Sequence, residues 1–217
     1  AARAAVELDW KANPQPLRRL IAGVEGTSPS ALERIADSWF LCALAERDSA
    51  NGLAALKDLG DSTFGDNAIQ FSAKFGEGLL ARAVKDEARA HAAFTAARID
   101  QEKLVQAQAD YGPSLMALAL IDAGLGRKQE ALREGRRAEE LMPLTKDATN
   151  GAAMIEFFGV LSAWVGDKDI AFENLTQALD HDSVTTTSYG RLKLLPWWDP
   201  LRGDPRFEKI VNSLAPK

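Results

Sequence analysis

Apolar runs separated by short polar, glycine or proline segments divide the chain into helices. The opening stretch predicts a helix to Trp10, a break across Asn13-Pro14-Gln15-Pro16, and a second helix from Leu17 to Val24. Gly26-Thr27-Ser28-Pro29 ends that helix, with Ser28 placed as an N-cap and Pro29 as the first residue of the next. From Ala31 onward helices are expected in pairs: 30–46 with 49–59, 67–83 with 86–108, 112–125 with 128–141, and 151–165 with 168–180. Apolar and polar residues alternate only around Ser183 to Leu195, a segment that reads as a connector with a short helix. At the end, Asp204 caps a helix beginning at Pro205, and Phe207, Ile210, Val211 and Leu214 fall at i, i+3, i+4 and i+7. That spacing gives one apolar face, which needs a cover.

Small residues repeat across the strongest pairs. Ala119, Gly126, Ala131, Ala138 and Pro143 recur forty residues later as Gly159, Gly166, Ala171, Ala178 and Ser183. Ala119 and Gly159 lie on first helices and Ala131 and Ala171 on second helices, where two backbones must cross closely. Gly126 and Gly166 supply the turns, because glycine ends a helix at positive φ without a steric cost. A weaker copy runs through Gly78, Ala90, Phe94 and Ala97, with Lys85 in place of the turn glycine and Lys74 and Glu77 at two apolar positions. A looser one passes from Trp39 to Leu59 across the break at Arg47-Asp48-Ser49.

This pattern resembles the tetratricopeptide repeat, a helix-turn-helix unit stacked into a solenoid. The family's large apolar positions fall on Leu115 and Leu118 in one copy and on Ile155 and Phe158 in the next, and its helix-ending proline falls on Pro143. The resemblance implies an all-α, right-handed α-solenoid of antiparallel helix pairs with a C-terminal capping helix. It would form one domain over 1–217: N-terminal helices at 1–26, repeats at 29–60, 67–108, 112–145 and 152–184, and a connector and cap at 192–217. First helices line the groove in this family, which selects Phe75, Leu79, Arg82, Met116, Leu120, Glu156, Val160 and Trp164 as partner-binding candidates. Such a groove would take an apolar peptide or helix, with Arg82 and Glu156 setting its direction. The same residues are core if neighbouring helices or the terminal segment cover them. Trp197 and Trp198 raise the same choice, with packing of the closing helix preferred.

The run Leu192 to Phe207 also resembles segments that follow helical repeats in bacterial multidomain signalling proteins. The chain opens Ala1-Ala2-Arg3-Ala4-Ala5 without a methionine, consistent with a piece of such a parent. The implied function is a non-catalytic protein–protein interaction module that binds a protein segment or positions a neighbouring domain. The alternative is self-association as a homodimer, through the apolar first-helix faces or the Trp197-Trp198 corner, or a structural scaffold role.

Composition narrows these classes. Of 217 residues, 46% are hydrophobic, enough for a sizeable core. The net charge of -5 argues against a nucleic-acid partner. Arg127 to Arg137 holds five basic and two acidic residues, but Glu139 and Glu140 follow, and the pairs Glu134–Arg137 and Arg136–Glu140 have helical spacing, so a solvated face is expected. No apolar stretch is long enough for membrane insertion and no signal peptide is present; a soluble, cytoplasmic setting is weakly favoured. The single cysteine, Cys42, reads as a small buried hydrophobe. Catalytic and metal-binding constellations are not expected. Glu87 and His91 are one turn apart but lack further ligands, and Asp180-His181-Asp182 reads as a helix end. Gly76-Glu77-Gly78 and Gly124-Leu125-Gly126 follow no strand and lack the lysine and hydroxyl of a phosphate loop. No enzyme activity and no cofactor are expected.

Overall fold

A computed structural model describes residues 2–25, 29–65, 69–181 and 186–217, all-helical in architecture apart from its connections. Its elements are α1 (Ala2–Lys11), α2 (Gln15–Glu25), α3 (Pro29–Glu33), α4 (Ala36–Glu46), α5 (Ser49–Leu59), α6 (Ala73–Ala83), α7 (Glu87–Ala107), α8 (Gly112–Gly124), α9 (Lys128–Leu141), α10 (Ala148–Trp164), α11 (Lys168–Asp180), α12 (Tyr189–Leu194), a 3-10 helix (Pro196–Leu201) and α13 (Pro205–Ser213). The main packing unit is the hairpin of consecutive helices: α4 with α5, α6 with α7, α8 with α9, and α10 with α11. Each hairpin also packs on the next, through α5 with α6, α7 with α8, and α9 with α10.

One turn geometry builds all four hairpins. Arg47, Lys85, Gly126 and Gly166 each take positive φ, at 56°, 61°, 75° and 83°. The next residue in each case sends its N–H back to the first helix: Asp48 to the Ala43 carbonyl (2.9 Å), Asp86 to Ala81 (2.9 Å), Arg127 to Asp122 (2.9 Å) and Asp167 to Ser162 (2.8 Å). These bonds satisfy carbonyls that a helix end leaves orphaned. In the first two hairpins the aspartate carboxylate then caps the second helix, accepting from Asn51 N–H and Arg89 N–H. The turn therefore occurs in the Trp39–Leu59 copy as well.

Small residues sit where the helices cross. Ala119, Ala131, Ala138, Ala171 and Ala178 are all fully buried. Two glycines make room for one ring: a Cβ at Gly78 of α6 would lie 2.6 Å from the Phe94 ring of α7, and one at Gly124 of α8 would lie 2.8 Å from it. Phe94 is thus wedged across three helices. The large positions Leu115, Leu118, Ile155 and Phe158 are buried.

Several boundaries differ from the sequence reading. The helix expected over 30–46 is two, because the chain turns at Arg34-Ile35 between α3 and α4. The helix expected over 67–83 begins only at Ala73, capped by Ser72, whose hydroxyl accepts from Phe75 N–H. Upstream of it, Phe64 and Phe71 exchange backbone hydrogen bonds of 3.0 and 2.7 Å in an isolated antiparallel bridge. Phe71 and Phe75 have helical spacing and their rings stack at 4.4 Å, yet they straddle the cap. α2 starts at Gln15, with Pro16 tolerated in its first turn. α10 starts at Ala148, three residues early, because Asp147 accepts from both Thr149 and Asn150 N–H. The proposed cap Ser28 and the start of the connector at Ser183 lie outside the described residues. α13 buries Phe207 and Val211 as expected, while Ile210 is partly buried and Leu214, just after the helix, is exposed.

The two ends of the chain meet. α1 packs on α12, and a Cβ on Gly190 would fall 1.6 Å from the Leu8 carbonyl oxygen, so only glycine permits this crossing. Beside it, Arg191 Nε donates to Asp9 Oδ1 at 2.8 Å. A second tie joins the first hairpin turn to the 3-10 helix: Arg47 and Arg202 both donate to Asp199 Oδ1, at 2.9 and 2.7 Å.

Candidate functional site

The eight groove candidates lie on α6, α8 and α10, and Arg82 of α6 meets Trp164 of α10. Phe75, Leu79, Met116, Leu120, Glu156 and Val160 are at most 1% exposed and Trp164 is 9% exposed, with Arg82 half-buried. The chain's own segment from Thr186 to Leu201 covers part of this set, at Phe75, Glu156 and Trp164, while Met116 and Leu120 lie on α8, which packs among α7, α9 and α10. Trp197 is the centre of that segment. Its ring stacks on Trp164 (centroids 5.7 Å, planes 15° apart) and on Phe75 (5.9 Å), and it meets Phe157 edge-on at 5.6 Å. Trp164 Nε1 also donates to the Trp197 carbonyl oxygen at 2.8 Å. Of the two accounts open in the sequence, coverage by neighbouring helices and the terminal segment describes these residues.

The two charged candidates have different partners. Arg82 places its guanidinium 4.6 Å from the Trp164 ring centroid, a cation–π contact. Burial pulls its pKa below the usual arginine value, with Glu87 and Asp199 opposing. Glu156, fully buried on α10, accepts from the N–H of Thr186. The Thr186 carbonyl in turn accepts from Trp198 Nε1 at 3.1 Å. Glu156 therefore holds the terminal segment directly, while Arg82 packs on Trp164 of α10 beside it. Trp197 and Trp198 are both buried, and the ring partners of Trp197 are Phe71, Phe75, Phe157 and Trp164.

Sequence reading missed a second cluster, on the α7–α8–α9 side. Asp122 is fully buried and receives Arg98 Nε at 2.6 Å and Arg127 Nε at 3.3 Å. Glu134 turns inward toward Asp122, and its Oε2 is buried without a hydrogen-bond partner among the described residues. Burial first, then the Asp122 charge, pushes its pKa up from 4.5 to about 7. The ion pairs of α9 include Arg127–Glu130, Arg133–Glu134, Arg137–Glu140 and Arg137–Asp110, but not the spacings Glu134–Arg137 and Arg136–Glu140 read from the sequence. Three helices contribute to this cluster, so no local spacing announces it.

Elsewhere, Glu87 and His91 are exposed on α7 and His181 is exposed after α11, while Asp182 lies outside the described residues. Among the described residues, no group of three histidine, cysteine or acidic side chains is placed to hold a metal. Among the described residues, no helix is long and apolar enough to cross a membrane. Cys42 is buried, and desolvation, assisted by the Glu46 charge, pushes its thiol up to about 12. Comparisons with protein-family models, with curated proteins and with solved structures find no match.

Proposed function

We propose that this chain is a non-catalytic helical-repeat module of the tetratricopeptide kind, a right-handed solenoid that serves as a scaffold in a larger bacterial regulatory protein. It would position a protein partner or a neighbouring domain without offering an open peptide groove. The supporting observation is the packing of Trp197 between Phe75 of α6 and Trp164 of α10, with its ring and backbone both engaged.

Magnitudes favour the scaffold over the groove. Truncating one buried tryptophan or phenylalanine to alanine costs about 3–5 kcal/mol. Trp197 and Trp198 are both buried, so a competing segment must replace roughly 6–10 kcal/mol. That is comparable to the entire binding energy of a micromolar complex, about 8 kcal/mol.

A labelled peptide matching residues 190–203 discriminates the two when titrated into the full chain. The scaffold reading expects no exchange at micromolar concentration, and expects a captured partner protein to stay bound when the peptide is added. Micromolar peptide binding, with partner release, would establish the groove instead. Stoichiometric zinc after chelator treatment, lost in His91→Ala, would overturn the non-catalytic assignment.

A further inference from the structure

A half-open pocket with about 150 Å³ of accessible space lies where α4, Phe64 and Phe71, α10 and the terminal segment meet. Five of its wall residues are aromatic and form a continuous chain of ring contacts. Phe40 meets Phe64 at 4.6 Å, Phe64 meets Phe71 at 5.7 Å, Phe71 meets Phe157 at 5.6 Å, and Phe157 meets Trp197 at 5.6 Å. Among the described residues, the other buried members of the wall are leucines and Thr186.

Thr186 is the informative one. Its N–H is given to Glu156 and its carbonyl accepts from Trp198, so its backbone is pinned on both sides. Its side-chain hydroxyl is buried and has no hydrogen-bond partner among the described residues. A buried hydroxyl left unsatisfied is costly, and a ligand that reaches it recovers that cost. The charges at this cavity balance: Asp37 is exposed toward solvent, and Arg191 is already tied to Asp9. Neither sign is in excess, so a charged ligand has no counter-charge to meet.

We propose that this cavity binds a neutral, single-ring aromatic molecule bearing one hydroxyl, a ligand of the phenol class. The volume suits one ring with a small substituent, since an apolar cavity of about 150 Å³ admits benzene. The aromatic walls offer ring edges and faces to that ring. Thr186 Oγ1 supplies the polar contact that fixes its orientation. The site stands independently of the scaffold assignment, because it requires only the cavity and Thr186.

Phenol, toluene and cyclohexanol are titrated into the full chain by calorimetry, with the Trp197 contribution to fluorescence as a second readout. Phenol is expected to bind with a dissociation constant on the order of 0.1–1 mM, in the range open to so small a ligand. Toluene keeps the ring and loses the hydroxyl; cyclohexanol keeps the hydroxyl and loses the ring. Each is expected to bind more weakly. Thr186→Val, which removes the orphan hydroxyl and is expected to fold at least as well as the parent, should weaken phenol roughly two- to ten-fold and leave toluene unchanged. Ser38→Phe, on the wall at α4, should abolish both. Absence of saturable phenol binding below on the order of 10 mM would overturn the proposal. So would phenol binding that survives Ser38→Phe, or equal binding of phenol to the parent and to Thr186→Val.

Discussion

Gly190→Ala tests the joint between the chain's ends. The added Cβ would stand 1.6 Å from the Leu8 carbonyl oxygen and 2.7 Å from its carbonyl carbon. These are backbone atoms of a helix, so no side-chain rotation relieves the overlap, and α1 must move off α12. The movement exposes Leu8, which is fully buried, at a cost of about 2 kcal/mol. It also lengthens the Arg191–Asp9 pair, whose side chains are 13% and 25% exposed, for about another 1 kcal/mol. Helix propensity favours alanine by about 1 kcal/mol, which leaves a net destabilisation of about 2 kcal/mol. With a urea slope of about 2 kcal/mol/M, the midpoint should fall by about 1 M. Hydrogen exchange should localise the change, with protection lost in α1 and α12 before α8 to α11. An unchanged midpoint with full protection of α1 would refute the close crossing.

Three further outcomes follow from the packing. Gly78→Ala pushes a methyl group to 2.6 Å from the Phe94 ring and should cost about 1–2 kcal/mol by denaturant melt after the gain in helix propensity; in a Phe94→Leu background the penalty should shrink, and equal penalties would remove Phe94 as the cause. Glu134 binds its proton more tightly folded than unfolded, so its contribution is full below about pH 4.5 and is lost as pH rises through about 7. Glu134→Gln should therefore be more stable than the parent at pH 8, by on the order of 2 kcal/mol, and flatten the parent's decline with pH; matching pH profiles would refute the assignment. Trp10 is 70% exposed while Trp39, Trp164, Trp197 and Trp198 are at most 9% exposed, so Trp10→Phe should abolish most acrylamide quenching of native fluorescence; strong residual quenching would show that the terminal segment opens.

What the sequence disclosed depended on whether a constraint was local. Gly126 and Gly166 were legible because positive φ selects glycine, and the alanines of the crossing followed from the turns. Arg47 and Lys85 adopt the same conformation with a side chain present, at a cost of about 1–2 kcal/mol each, and so left no glycine to find. The candidate positions on α6, α8 and α10 were legible as apolar, but what covers them was not. The pattern of Phe75, Leu79, Met116 and Trp164 is the same whether a partner, neighbouring helices or residues 186–201 cover it. Asp122, Arg98 and Glu134 come from three helices and meet only after those helices pack. Gly190 was equally silent, since its requirement comes from Leu8, far away in sequence.

The clasp between the ends also changes how stability is distributed. In an open array each pair touches only its neighbours, so terminal pairs fray independently. Here Asp9 pairs with Arg191 and Arg47 pairs with Asp199, making α12 and the 3-10 helix neighbours of α1 and of the first hairpin turn. Closing a disordered loop of such length would cost about 4–5 kcal/mol in chain entropy, more than two partly exposed ion pairs return. The pairs can form only because the intervening hairpins have already brought the ends together. The clasp is therefore a consequence of correct stacking along α4 to α11, and a fault anywhere in that stack reaches the Trp197 face through it. That dependence suits a scaffold, in which geometry at one end must be fixed by packing at the other.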